Sequence, residues 1–121
     1  MLDLWERSCE LHPIKIGIVE LDDSLQSLVA RIARNTLAGC EVYHTTALSQ
    51  LENPSELDML VYNIRAGFAQ IELWRRTAPS TRLILLVDTV EADTWTRIHS
   101  LAPVSVLTIP FGYQELQAAL S

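Results

Sequence analysis

Short apolar runs that alternate with helical segments constrain this chain more than any other feature. In the clearest run, the four apolar residues 59–62 follow Asp58, which is typical of a strand buried on both faces of a parallel sheet. Five strands are predicted, at residues 14–19, 40–44, 57–62, 82–87 and 104–108. A helical segment follows each strand, and this alternation predicts an α/β protein with a parallel sheet.

The predicted helices define the rest of the architecture. Asp22 or Asp23 can cap the helix after the first strand, with Gln26 completing a capping box from Asp23. Its inward face is predicted to carry five apolar residues, Leu25, Leu28, Val29, Ile32 and Leu37. The later helices are predicted at residues 46–51, 66–76, 91–101 and 112–120. Right-handed crossovers of this kind predict a flavodoxin-like doubly wound sheet of order 2-1-3-4-5, with helices on both faces.

Length and composition predict one globular domain. Residues 13–121 form the predicted domain, and residues 1–12 are predicted to be a tail or a short helix. Hydrophobic residues make up 49% of the 121-residue chain, and the formal net charge is −6. This charge argues against a nucleic-acid surface, because phosphate binding depends on clustered Lys and Arg. Arginines in the second half are predicted to form a solvated face, with a docking patch for an acidic partner as the alternative: Arg65, Arg75, Arg76, Arg82 and Arg97.

Targeting signals and cysteine spacing indicate the compartment. No stretch approaches the roughly 20 apolar residues of a membrane span, and the amino terminus lacks the basic start of a signal peptide. Cys9 and Cys40 follow no metal-ligand spacing. We therefore predict a cytoplasmic protein with reduced thiols, and place Cys40 buried on the second strand.

Asn63 is the residue on which the functional prediction depends most. It directly follows the third predicted strand, at the carboxyl end where open α/β sheets place ligands and reactive groups. A carboxylate there could hold a divalent cation or accept a phosphoryl group. A carboxamide is neutral, and its oxygen is a weak nucleophile.

Four features together resemble a response-regulator receiver domain over residues 14–120. They are the acidic turn at residues 20–23, the strand from Asp58 to Asn63, the apolar strand 83–87 and the segment 107–111, which includes Pro110. The resemblance implies a cis peptide bond before Pro110. The short segment after Asn63 resembles, more narrowly, the receiver-like domains of ANTAR-type antiterminator regulators.

The resemblance also implies that the phosphorylation site is degenerate. In the family, two acids and an acceptor Asp hold Mg²⁺, while a Lys and a hydroxyl group stabilise the phosphoryl charge. In this sequence Asn63 stands at the acceptor position, and the other matching positions are Glu20 and Leu21 for the acids, Val87 for the hydroxyl, Ile109 for the Lys and Val106 for the aromatic switch residue. The resemblance therefore implies a pseudo-receiver with no catalytic residue, cofactor or metal.

Acidic residues near this edge leave an alternative open. Glu20 could hold a cation together with Asp22, Asp23 or Asp88, which would give a residual Mg²⁺- or phosphoryl-responsive switch. A helix cap with solvated neighbours is the simpler interpretation of these acids. His12, His44 and His99 lie on different elements without paired spacing, and are interpreted as structural or surface residues.

The receiver resemblance implies an interaction surface formed by the helix 91–101, the strand 104–108 and the helix 112–120. Trp95, Val106 and Tyr113 are its candidate anchors, because aromatic residues often supply interface energy. Alternatively, Trp95 packs onto the sheet together with Ile98 and Leu101. The expected function is a non-enzymatic interaction module of a signalling or transcriptional regulator. Its expected partner is a protein or a second copy of the chain in a homodimer, with no nucleic acid, membrane or cofactor.

Overall fold

The computed structural model describes residues 13–51, 53, 56–88 and 91–121. The predicted tail or helix at residues 1–12, with Trp5 and Cys9, lies outside these residues. The strands are β1 (Lys15–Val19), β2 (Glu41–Thr45), β3 (Met59–Asn63), β4 (Arg82–Val87) and β5 (Ser105–Thr108). The helices are α1 (Asp23–Thr36), α2 (Phe68–Thr77), α3 (Ala92–Ser100) and α4 (Tyr113–Leu120), with single 3-10 turns at Leu48–Gln50 and Ile64–Ala66.

The five strands form one parallel sheet of order β2-β1-β3-β4-β5. This order confirms the predicted doubly wound, flavodoxin-like fold. Val19 pairs with Tyr62, and Asn63 pairs with Leu86, so the carboxyl ends of β1, β3 and β4 meet at one edge of the sheet. The Ile109–Pro110 peptide bond is cis, as predicted.

Both faces of the sheet are covered by a hydrophobic core. Ile18, Val61 and Leu86 point towards α1 and α4, whereas Leu60 and Leu85 point towards α2 and α3. Because neighbouring residues of β3 and β4 enter opposite cores, residues 59–62 and 83–87 are all apolar, which explains these uninterrupted runs. No helix in the described part of the chain is both long and apolar enough to cross a membrane.

The connection between β2 and β3 differs from the prediction. A 3-10 turn at Leu48–Gln50 replaces the helix predicted at residues 46–51, and Leu48 is its buried residue. Asn53 then adopts a positive φ of 47°, which ends any helical path. The placement of Cys40 was also wrong. Cys40 precedes β2, follows the positive-φ Gly39 and is half-buried, because strand pairing begins only at Glu41.

The start of α1 is also organised differently from the prediction. Asp22 is the cap, and its Oδ1 accepts a hydrogen bond from the backbone N–H of Leu25 at 2.9 Å. Asp23 forms no capping box with Gln26, because the Gln26 side chain is buried and donates to the carbonyls of Glu20 and Thr45, at 3.2 and 2.8 Å. The prediction that Leu28 faces the core was wrong, since Val29, Ala30, Ile32 and Ala33 form the buried face and Leu28 is 38% exposed.

We expect Gly17→Ala to destabilise the protein by about 1–3 kcal/mol. A Cβ at Gly17 would lie 2.5 Å from Cδ1 of Leu57 and 3.1 Å from Cδ1 of Leu60, so the core must shift to admit it. Urea unfolding would show the change as a lower denaturation midpoint. In a Leu57→Ala background the obstructing methyl is gone, and the same substitution should cost less. An equal cost in both backgrounds would contradict this explanation.

Candidate functional site

Asn63 and Glu20 form a buried hydrogen-bonded pair at the carboxyl edge of the sheet. Asn63 ends β3 and Glu20 directly follows β1, and these strands are neighbours. The Asn63 side-chain Nδ2 donates to Glu20 Oε2 at 2.7 Å, and each residue is only 2% exposed. The structure therefore brings together two of the sequence-predicted site residues as a carboxamide–carboxylate pair.

Backbone N–H groups engage the remaining oxygens of this pair. Glu20 Oε1 accepts a hydrogen bond from the backbone N–H of Asp22 at 3.1 Å. Asn63 Oδ1 accepts from the backbone N–H of Arg65 at 2.9 Å and so caps the 3-10 turn that follows β3. A buried carboxylate is costly unless it is hydrogen-bonded, and here neutral donors serve both of its oxygens. This arrangement satisfies the Glu20 charge without a cation.

The other positions matched to the phosphorylation site are apolar. Val87 is buried at the end of β4, and the backbone N–H of Ile109 donates to its carbonyl at 2.7 Å. Ile109 is half-buried, and Leu21 is 49% exposed beside Glu20. None of these side chains can donate a hydrogen bond, carry charge or ligate a metal. The edge therefore lacks the groups that would neutralise a phosphoryl group at these positions.

A cleft of about 410 Å³ opens above the buried pair, and we call it the Asn63 cleft. Glu20 and Asn63 form its floor, Leu25, Leu28 and Ile109 form its walls, and Asp22, Arg65 and Asp88 lie at its rim. Arg65 and Asp88 are 3.7 Å apart with both side chains more than half exposed, so their ion pair contributes little stability. Among the described residues, no group of three or more His, Cys, Asp or Glu side chains is arranged to hold a metal ion.

Sequence reasoning missed two polar residues at this edge. Gln26 links α1 to the loops after β1 and β2, and its Oε1 lies 2.9 Å from Nδ1 of His44. Arg65, which the sequence predicts on a solvated face, has a side chain that is 66% exposed, and it also lies at the rim of the cleft. Its place two residues after Asn63 is the signal that could have found it. The partners of Gln26 come from distant parts of the chain, and no local pattern indicates them.

Tyr62, next to Asn63, is expected to make stability depend on alkaline pH. Burial raises its pKa from 10.0 to about 12, and its hydroxyl donates to the carbonyl of Gly67 in the segment before α2. Because the folded state favours the neutral phenol, this stabilisation is complete below about pH 10 and is lost as the pH rises towards about 12. Below pH 10, Tyr62→Phe should be less stable by the lost hydrogen bond, about 1 kcal/mol.

Urea unfolding of both proteins across this pH range tests the expectation. The stability difference between wild type and Tyr62→Phe should shrink as the pH rises above about 10. In the unfolded wild-type chain Tyr62 can then ionise, whereas burial keeps it neutral in the folded state, and the phenylalanine variant has no ionisable group at this position. A difference that stays constant up to about pH 12 would contradict the assignment of this pH dependence to Tyr62.

The predicted interaction surface lies on α3, β5 and α4. Trp95 is 38% exposed and Tyr113 is 46% exposed, while Val106 is half-buried. A groove of about 360 Å³ between α3 and β5 is lined by residues that include Trp95, His99 and Val106. The Trp95 ring lies 6.2 Å from that of His99, and Ile98 and Leu101 anchor this region to the core without it. The alternative in which Trp95 packs onto the sheet was therefore wrong.

Solved structures of known proteins share this architecture. No protein-family model matches the sequence, and no curated protein matches it. A CheY-like response regulator of Mesorhizobium loti superposes with a TM-score of 0.76 at 14% identity, covering 90% of this chain and 97% of that chain. The receiver domain of a DNA-binding response regulator of Colwellia psychrerythraea gives 0.77 at 14% identity, with 88% and 94% covered.

A third similar structure has a different description. A putative pilus assembly protein of Burkholderia thailandensis superposes with a TM-score of 0.73 at 21% identity, covering 88% of this chain and 94% of that chain. At these identities the likeness concerns the fold, and it agrees with the strand order and the cores described above. The chain has the fold of response-regulator receiver domains.

Proposed function

We propose that the chain is a phosphorylation-independent pseudo-receiver, a non-enzymatic protein interaction module of a cytoplasmic signalling or transcriptional regulator. The receiver fold supports a signalling role. The similarity to a putative pilus assembly protein is compatible with an interaction role outside a transcription factor.

The hydrogen bond from Asn63 to Glu20 is the observation that carries the proposal. Phosphorylation needs a nucleophilic carboxylate and a cation beside it, whereas here an amide N–H occupies one oxygen of the buried acid at 2.7 Å. The amide thus takes the place that a cation would fill next to Glu20. Val87 and Ile109 add no hydroxyl or ammonium group to replace what is missing.

A homodimer through α3, β5 and α4 is the proposed mode of action. Trp95 on α3 and Val104, which directly precedes β5, are exposed and line the groove between α3 and β5. Tyr113 is exposed at the start of α4. Aromatic side chains of this kind supply a large share of binding energy when a second surface covers them. Sedimentation equilibrium should show a dimer that the combined change Trp95→Ala and Tyr113→Ala converts to a monomer. A wild-type chain that stays monomeric and binds no protein would argue strongly against the proposed interaction function.

The alternative, a residual Mg²⁺- or phosphoryl-responsive switch, would need Glu20 with Asp22, Asp23 or Asp88. Several contacts weigh against it. Both Glu20 oxygens already accept hydrogen bonds, Asp22 caps α1, and Asp88 lies beside Arg65. Amide shifts of Glu20 and Asn63 that respond to millimolar Mg²⁺ would favour this alternative.

Intact mass after incubation with acetyl phosphate and Mg²⁺ tests the proposal directly. A working chemotaxis receiver in the same reaction confirms that the reagent is active. The wild-type chain should gain no phosphoryl adduct, because Asn63 offers no carboxylate to attack the phosphorus. An adduct on the wild-type chain would overturn the proposal. An Asn63→Asp variant analysed alongside shows whether position 63 alone blocks the reaction or the whole edge does.

A further inference from the structure

We propose that the Asn63 cleft is a docking site for a basic amphipathic helix of a partner protein. Apolar side chains of that helix would enter between Leu25, Leu28 and Ile109. This inference rests on the proposed function, since it identifies a class of partner for a module without phosphoryl chemistry. It concerns a surface separate from the dimer surface on α3, β5 and α4.

The walls of the cleft expose apolar surface that the fold itself does not use. Leu28 is 38% exposed, while Leu25 and Ile109 pack partly against the core and keep part of their side chains exposed to the cleft. Leu25 and Leu28 are three residues apart on α1, so they form one ridge along the cleft. A helix lying beside α1 could place its own apolar ridge against them. Apolar patches rimmed by polar residues are typical of interaction sites.

A partner side chain can cover the floor of the cleft with little loss of hydrogen bonding. Asn63 and Glu20 satisfy each other at 2.7 Å, and backbone N–H groups engage their remaining oxygens. An apolar side chain placed over this pair would therefore cover side-chain oxygens that each already accept a hydrogen bond. With a carboxylate at position 63, the same side chain would bury two like charges. The substitution that argues against phosphorylation thus also makes the floor suitable for apolar contact.

The charge around the cleft selects a basic occupant. Asp22 and Asp88 lie at the rim, Asp23 is exposed at the start of α1, and Glu20 lies beneath them. Arg65 is the one cation among the described residues that line the cleft, and it lies 3.7 Å from Asp88. Lys and Arg side chains flanking an apolar ridge would complement these acids, whereas an acidic helix would be repelled. The net charge of −6 acts in the same direction.

A designed peptide tests the proposal on the full chain. The probe is a synthetic helix of Leu and Lys, with leucines spaced three and four residues apart, titrated into isotope-labelled protein and followed by amide NMR shifts. The matched peptide carries Glu in place of each Lys. The basic peptide should shift the amides of Leu25, Leu28, Arg65 and Ile109, and the acidic peptide should not.

Two leucine variants separate specific docking from general attraction of a cation to an acidic protein. Leu28→Ser should weaken binding roughly tenfold or more, because the variant removes buried apolar area from the complex. Leu73→Ser is the matched control. Leu73 is a 64% exposed leucine on α2 that does not line the cleft, and its replacement should leave the affinity unchanged.

Four results would overturn the docking proposal. They are an absence of shifts at millimolar peptide, shifts centred on Trp95 and Tyr113, equal binding of the acidic peptide, and equal effects of Leu28→Ser and Leu73→Ser. None of them depends on the phosphorylation assay. A phosphoryl adduct on wild-type protein would overturn the proposed function even if the peptide binds, so the two failures can be told apart.

Discussion

Replacing Asn63 with aspartate is expected to destabilise the protein by roughly 3 kcal/mol at neutral pH when divalent cations are absent. The wild-type amide donates to Glu20 Oε2 at 2.7 Å in a site where both residues are 2% exposed. The substitution removes the donor and places a second carboxylate at hydrogen-bonding distance from the first. Two like charges so close in the interior cannot both stay ionised without a compensating cation.

Two conditions should restore the stability of this variant. A divalent cation between the carboxylates would offset their repulsion, so Mg²⁺ should stabilise Asn63→Asp more than it stabilises wild type. Repulsion should also raise the pKa of the carboxylate pair in the folded variant, so one shared proton stabilises it. The variant should therefore regain stability as the pH falls towards about 5 and lose it as the pH rises.

The double variant Glu20→Gln with Asn63→Asp is the matched control. It exchanges the carboxamide and the carboxylate, and the lengths of both side chains are kept. The amide introduced at position 20 could then donate to the carboxylate introduced at position 63, and both backbone N–H groups would still find an oxygen acceptor. The double variant should lie within about 1 kcal/mol of wild type, and urea unfolding in EDTA would measure this coupling. An Asn63→Asp protein as stable as wild type in EDTA would show that the hydrogen bond between Asn63 and Glu20 does not stabilise the fold.

The pair itself shows where sequence reasoning reached its limit. The position of Asn63 at the end of β3 and that of Glu20 after β1 could each be predicted, because apolar runs define strands and a parallel sheet aligns their carboxyl ends. Their hydrogen bond joins residues 43 positions apart, and depends on the register of β1 against β3. Local patterns carry no information on that register. The sequence therefore predicts that the phosphorylation groups are missing, and the structure shows the hydrogen bond between Asn63 and Glu20 that stands in their place.

The errors within single elements have a similar origin. Residues 46–51 are too few for helical periodicity to be tested, and the segment forms a 3-10 turn. Asp22 and Asp23 are both suitable N-cap residues, and the structure uses Asp22. Gln26 forms no capping box with Asp23, because its side chain donates hydrogen bonds to the carbonyls of Glu20 and Thr45. Strands β3 and β4 were predicted well because burial on both faces leaves an uninterrupted apolar run.

Arg75 was assigned to a solvated face, yet Arg75→Ala is expected to cost about 3 kcal/mol of stability. Its Nε donates to the carbonyl of Leu101 at 2.8 Å, and Nη2 donates to that of Ala102 at 3.0 Å. Its Nη1 donates to the carbonyls of Ala78, at 3.0 Å, and Thr81. One guanidinium thus joins the end of α2, the loop before β4 and the end of α3. Desolvation lowers the pKa of Arg75, but the group stays charged at neutral pH.

Two neighbouring variants test whether the guanidinium shape matters. Arg75→Lys should recover less than half of the lost stability, because an ammonium group cannot reach carbonyls on several sides as the planar fork does. Arg76→Ala is the control, since Arg76 is an exposed arginine on the same helix. Its replacement should change the free energy of unfolding by no more than about 0.5 kcal/mol. Equal losses for Arg75→Ala and Arg76→Ala would show that the four contacts contribute nothing specific.

The damage from Arg75→Ala should be greatest in α3. Within this helix Ile98 is the buried residue, so few apolar contacts hold the helix to the sheet, and the carbonyls after its end lose their donors in the variant. Amide hydrogen exchange should therefore accelerate in α3 more than in β3, whose five residues are all buried. Equal acceleration in both elements would mean that Arg75 supports the fold as a whole. Selective loss in α3 would also weaken the proposed dimer, because Trp95 is presented by this helix.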